Sequence, residues 1–273
     1  MQRPFRTTAY RYPNEHLILA VTLTLVVVVI ALTATATLCL SAVFILSVVL
    51  FSYQSSQSLH NALIDRAFHV NEASGPELAA IVEIPKARLQ ADDLEVFVAR
   101  SSVPNAYTFG LLSPKIVVLH SILLDMMDRD ELIFILGHEM GHVRLGHTWL
   151  NTLIGGMAGI PTSFSAAAIL ALAFRWWNRA CEYSCDRAGL LACGDPEKAV
   201  SALVKLVAGG EVHSTAGIQR VLARIEAEDD DIAGSFEELL GTHPMMVRRI
   251  AHIRSYAASQ EYKRLQNLIA RNL

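Results

Sequence analysis

Two histidines four residues apart, His138 and His142, with Glu139 beside the first, constrain this chain more than any other feature in it. They follow Asp128-Arg129-Asp130-Glu131, which reads as a capping box: Asp128 as N-cap, Glu131 bonding back to it. Good helix formers continue to about Leu145. Positions four apart share a helix face, so both imidazoles address one point. Two neutral imidazoles at that spacing can hold one zinc ion. Glu139 can then reach a water there as general base. The plain alternative is a helix that happens to carry two histidines. Histidine spacing alone leaves that alternative open; Glu139 and an acidic pair downstream count against it.

A catalytic zinc takes three protein ligands and keeps one position open. A third histidine on the metzincin pattern would need Gly at Leu145 and His at Thr148, so that pattern fails. His147, if the helix continued, would lie on the opposite side from His138, which makes it a surface or interface residue. Ala180-Cys181-Glu182-Tyr183-Ser184-Cys185-Asp186 offers more. Glu182 and Asp186 share a helix face, with Glu182 as third ligand and Asp186 placed to fix the tautomer of a ligand histidine. The bland reading is an exposed acidic face paired with Arg179 or Arg187.

Two uncharged runs govern topology. Leu17 to Phe51 carries no charge and is too long for one ordinary span of about 20 residues. Two helices, about 15–33 and 37–54, turning in Thr33–Thr37, account for it; one long tilted helix is the alternative, since no Gly, Pro or Asn marks a turn. Arg3, Arg6 and Arg11 precede the run and argue for a cytoplasmic N-terminus. The division is then 1–16 a cytoplasmic segment, 17–54 a transmembrane region and 55–273 a zinc domain. The second run, 153–174, lies between the two halves of the metal site. Both of its ends must face one compartment, so it is expected to be a hairpin bent at Gly155-Gly156, Gly159 or Pro161, dipping into the bilayer interface, covering the active site, or buried as ordinary core.

Elsewhere, 57–82 reads as two amphipathic helices broken at Ser74–Glu77, with Pro76 at a first helical position. Alternating or apolar stretches at 94–99, 106–110 and 115–119 read as strands. The chain is therefore mainly α with a small, mostly antiparallel sheet, an α+β class. A short helix over 120–127 precedes the His138 helix. Further helices are expected at Pro196 to Val207, 218–227, 246–257 and 260–271. Glu226, Glu228 and Asp229–Asp231 read as a solvated acidic loop. The hydrophobic share of 52% is high because of the two apolar runs, and a net charge of −3 gives no sign of nucleic-acid binding. Cys181 and Cys185, four apart on one helix, suit reduced packing residues better than a disulfide.

At Pro104-Asn105-Ala106-Tyr107, His138-Glu139-x-x-His142, Glu182-x-x-x-Asp186 and His243-Pro244-x-x-x-x-Arg249-Ile250 the chain resembles the M48 metallopeptidases of the membrane-bound HtpX kind. The likeness runs from about Ala79 to Arg254. It implies a gluzincin-type fold and endopeptidase activity with one Zn2+ per chain. The implied substrates are membrane or misfolded polypeptides, in protein quality control at the inner cell membrane, with a multi-pass chain and a cytoplasmic catalytic domain. It also implies that Asn105, Ala106 and Tyr107 lie on an edge strand that pairs with extended substrate, that His243 donates to the oxyanion, and that Arg249 supports the site. Without the family, His243-Pro244 is only a helix start and Arg249 a solvated residue. The chain departs from the HtpX pattern in the shortness of 153–174 and in the missing turn within 17–54. A zinc that merely braces a non-catalytic membrane protein is the competing reading. It would normally need four closed ligands, often cysteines.

Overall fold

The computed structural model describes residues 7–36, 40–110, 113–155, 165–208, 217–218, 220 and 244–272. A 3-10 turn at Thr7–Tyr10 leads into α1 (Glu15–Ala36) and α2 (Leu40–Arg66). Then come β1 (Phe68–His69), α3 (Pro76–Leu89), β2 (Leu94–Ala99), β3 (Ala106–Phe109) and β4 (Lys115–His120). The helices α4 (Ile122–Met126), α5 (Arg129–Leu145), α6 (Thr148–Gly155), α7 (Ser165–Cys193) and α8 (Pro196–Ala208) follow. Two more, α9 (Pro244–Ala258) and α10 (Gln260–Asn272), complete the described chain.

The sheet corrects the antiparallel expectation. Its order is β1-β2-β4-β3, with β2 and β4 parallel and the outer pairs β1–β2 and β3–β4 antiparallel. The sheet is mixed because β4 inserts between its two predecessors instead of following them in a meander. Its composition explains the position. Ile116, Val117, Val118 and Leu119 form an unbroken apolar run, all essentially buried, as a central strand covered on both faces requires. Val117 and Leu119 face the helical core, while Ile116 and Val118 pack with Phe97 and Phe109 on the other face. The less buried β3 takes the edge.

The first helix expected in 57–82 is the C-terminal end of α2, which runs on to Arg66, and the short β1 follows it. Amphipathic spacing marks a helical face but not whether the helix is already under way. The expected turn between α1 and α2 falls in part on 37–39, outside the described residues, as do the bend of the 153–174 hairpin, most of the 218–227 helix and the acidic run. Among the described residues, no helix is long and apolar enough to cross a membrane.

Helix α5 is the buried axis. Its capping box forms as expected: the Asp128 carboxylate accepts from the amides of Asp130 and Glu131, and Glu131 accepts from the Asp128 amide. Gly146, at φ 78°, ends it in the left-handed conformation that glycine adopts without strain. Helix α7 crosses α5 at very close range. A Cβ on Gly137 would fall 2.4 Å from Ala192 Cβ, and one on Gly141 2.9 Å from Ala188 Cβ. These glycines precede His138 and His142. The residues that let the helices touch are thus interleaved with those that face the site.

Candidate metal centre and active site

The α5–α7 crossing brings three donor side chains together. Glu182 Oε2 lies 3.3 Å from His138 Nε2, and Glu182 Oε1 lies 3.4 Å from His142 Nε2. One ligand atom from each residue lies within 4.8 Å of the others. Two imidazoles and a carboxylate form a donor set suited to a divalent transition metal with an open coordination position. The fit is supported by what holds the far side of His138. Its Nδ1 is 3.0 Å from Asp186 Oδ1. A carboxylate only accepts, so Nδ1 carries hydrogen toward Asp186, and Nε2, facing Glu182, is the atom a metal would take in exchange for its proton.

Arg249 on α9 closes this network. Its Nε and Nη2 donate to the two Asp186 oxygens at 2.8 and 2.6 Å, and Nη1 stands 3.0 Å from Glu182 Oε2. The solvated reading of Arg249 is therefore corrected. Burial alone would raise both carboxylates, but the Arg249 charge outweighs it and holds Asp186 below, and Glu182 well below, the usual range. Burial would lower His138; the Glu182 charge and the bonds to Asp186 and Glu182 overcome it and hold the imidazole up to about 10. A cation arriving at Nε2 competes with that proton.

Glu139 faces the same space. The Thr108 hydroxyl on β3 donates to Glu139 Oε2 at 2.6 Å. Asn105, Ala106, Tyr107 and Thr108 line one wall of a cavity of about 310 Å³, with His138, Glu139, His142, Glu182 and Arg249 at its base. Among the described residues β3 is the sheet's edge strand, paired with β4, and the Asn105 carbonyl accepts from the His120 amide. His243 lies outside the described residues. Thr108, Asn151 and Asn178 line the cavity but escaped sequence reasoning. The spacing of Asn178, four before Glu182 on the same helix face, is a signal that could have found it.

His147 corrects another expectation. It is buried, not at the surface, because Gly146 ends α5 and turns the chain back: the His147 amide donates to the His142 carbonyl at 2.9 Å. The opposite-side argument assumed a helix that has already stopped. Cys181 and Cys185 are free and buried, as expected of packing residues. Burial pushes both thiols above their ordinary range.

A helix bearing H-E-x-x-H, crossed by a second helix that brings a glutamate to the same point, defines a metallopeptidase. This one belongs to peptidase family M48, whose family profile matches residues 72–257. The chain is 29% identical over 231 residues to the plastoglobule-localized metallopeptidase 48 of Arabidopsis thaliana chloroplasts, covering 80% of this chain and 62% of that protein. It thus spans less than two thirds of that relative. It is 25% identical over 256 residues to a protease HtpX homolog of Ralstonia pickettii, covering 82% and 88% of the two chains. With a protease HtpX homolog of Pyrococcus furiosus the identity is 27% over 253 residues, covering 76% and 82%.

Proposed function

We propose that the chain is a membrane-anchored zinc endopeptidase that cleaves membrane or misfolded polypeptides. The observation that carries the reading is the convergence of His138, His142 and Glu182 beside Glu139, in a cavity walled by a sheet edge. Extended substrate adds as a strand along Asn105 to Phe109, its backbone meeting the outer edge of β3. A zinc ion held by the three ligands would supply Lewis acidity toward the scissile carbonyl. Glu139, steadied by Thr108, takes a proton from the attacking water and returns it to the leaving amine. His243 donates to the developing oxyanion. Asp186 and Arg249 keep His138 and Glu182 in place. A bracing zinc in a non-catalytic protein fits less well, because the site opens onto the cavity and offers three donors.

Anchoring is supported by the large apolar side chains that α1 and α2 turn outward. Leu17, Val27 and Leu32 on α1, and Val43, Leu50 and Phe51 on α2, are each more than half exposed. By sequence, residues 17–36 carry no charge. The N-terminal segment docks on the metal-binding helices: Arg11 Nη2 donates to the Leu145 carbonyl at 2.9 Å, and the Tyr12 amide to Ser184 Oγ at 2.8 Å. That docking supports a segment on the same side of the bilayer as these helices, and so an even number of crossings in 17–54, as two spans would give. Arg3, Arg6 and Arg11 before the run support a cytoplasmic side.

The test separates chemistry from metal binding. Glu139→Gln should keep zinc and lose about 10² to 10⁴-fold in casein turnover. Glu182→Gln should lower zinc affinity itself. If Glu139→Gln cleaves like the parent, the catalytic reading is wrong.

A further inference from the structure

The two histidines of α5 are supported on their far sides by different means. His138 rests on Asp186, which is gripped by Arg249. Behind His142 lies a second buried polar chain, drawn from the other end of the protein. His142 Nδ1 is 3.3 Å from His147 Nδ1, and His147 Nε2 is 3.0 Å from Glu15 Oε1. Glu15, in the first turn of α1, is only 1% exposed. Its carboxylate also accepts from the Ser184 hydroxyl and pairs with Arg11.

We propose that His147 and Glu15 are positioning residues for His142, so that the N-terminal segment forms part of the metal centre. The inference rests on the reading of His138, His142 and Glu182 as metal ligands. With Nε2 of His142 given to the metal, one proton arrangement satisfies the chain, the Cys185 thiol standing 3.6 Å from His147 Nδ1 as a second donor to that atom. Glu15 as a carboxylate only accepts, so His147 Nε2 carries hydrogen. The neutral His147 then has a bare Nδ1, which can only accept. His142 Nδ1 must be the donor, and His142 Nε2 is left bare on the side of Glu182. The tautomer that binds metal is thus written by a carboxylate two side chains away. Gly146 makes this possible, since only the left-handed turn brings His147 back beneath His142. Each ligand histidine is in the end held by an acid paired with an arginine: Asp186 with Arg249 directly, Glu15 with Arg11 through an imidazole.

The experiment measures zinc affinity by chelator competition on the full chain in detergent, with folding checked by circular dichroism. Asn at 147 puts its amide oxygen near the place of Nδ1 and can still accept from His142. Gln puts its amide near the place of Nε2 and can bond only Glu15. His147→Gln should therefore weaken zinc binding by about 10–100-fold, the range for a partner behind a ligand, and His147→Asn by clearly less. A purely packing role predicts the reverse order, because Gln is the closer match in size and keeps the Glu15 contact. Glu15→Gln should also weaken binding, while Glu83→Gln, at the exposed Lys86 pair, should not. Parent-like affinity in folded His147→Gln, or an affinity no lower than that of His147→Asn, overturns the proposal. If neither His147 variant folds, unchanged zinc affinity in Glu15→Gln overturns it. His142→Ala provides the separate check: if it binds zinc like the parent, the ligand set itself is wrong.

Discussion

Replacing Gly137 by alanine adds one methyl at the α5–α7 crossing and pushes on the metal centre without touching it. The new Cβ would stand 2.4 Å from Ala192 Cβ and 3.1 Å from Gly189 Cα. Carbon atoms rest about 3.5–4.0 Å apart, so the helices must separate by about 1 Å. Overpacking of this kind costs about 1–3 kcal/mol. Alanine returns up to about 1 kcal/mol through helix propensity, so the net loss of stability is small, about 0–2 kcal/mol. The effect on the site should be larger. His138 and His142 reach Glu182 across this same crossing, at 3.3 and 3.4 Å. A displacement near 1 Å can cost about 10²-fold in rate. The expected signature is a modest fall in melting temperature with a large fall in zinc retention and casein turnover. Ala192→Gly in the same chain removes the nearest clashing atom and should restore much of both. If Gly137→Ala keeps parental zinc content and turnover, close helix contact does not set the ligand geometry.

Asp128→Ala removes the N-cap of α5 and should cost about 1–2 kcal/mol in denaturant unfolding. Zinc affinity should be unchanged, because the cap lies at the far end of the helix from His142. Arg249→Ala leaves the buried Asp186 and the partly exposed Glu182 without their cation and should destabilise the metal-free protein by about 3–5 kcal/mol; added zinc should recover part of the loss, and Arg249→Lys should rescue poorly because it cannot span both Asp186 oxygens. Acid should destabilise the protein through His147. Burial holds its folded pKa near 4 against an ordinary 6.5, so the unfolded chain takes the proton first and stability falls as pH drops between those values, by on the order of 3 kcal/mol at most. Glu15, also held below its ordinary value despite burial, adds loss of the same sign at lower pH. Unfolding followed from pH 7 to 4.5 should be steeper in the parent than in His147→Asn.

What could be read from the chain was local. The capping box, the helix-face spacing of His138 with His142, and that of Glu182 with Asp186 are all set within one or two turns. Periodicity found β2, β3 and β4, yet it does not say which strand sits beside which; the unbroken apolar run of β4 was the clue to its central place. Burial of charge was not legible, because it depends on a partner far along the chain. Arg249 reads as solvated until Asp186 is set beside it. Gly137 and Gly141 look like weak points of a helix until α7 is laid across them. His147 was misplaced because one glycine, Gly146, stops the helix on which its position had been reckoned.

The pairing of Asp186 with Arg249 has a consequence for synthesis. The two residues are 63 positions apart, and a ribosome adding about 5–20 residues per second needs about 3–13 s to go from one to the other. Throughout that interval a growing chain already contains His138, Glu139, His142 and Glu182 but lacks the guanidinium that neutralises the acids around them. The network that steadies His138 and Glu182 is therefore completed only once synthesis has passed residue 249.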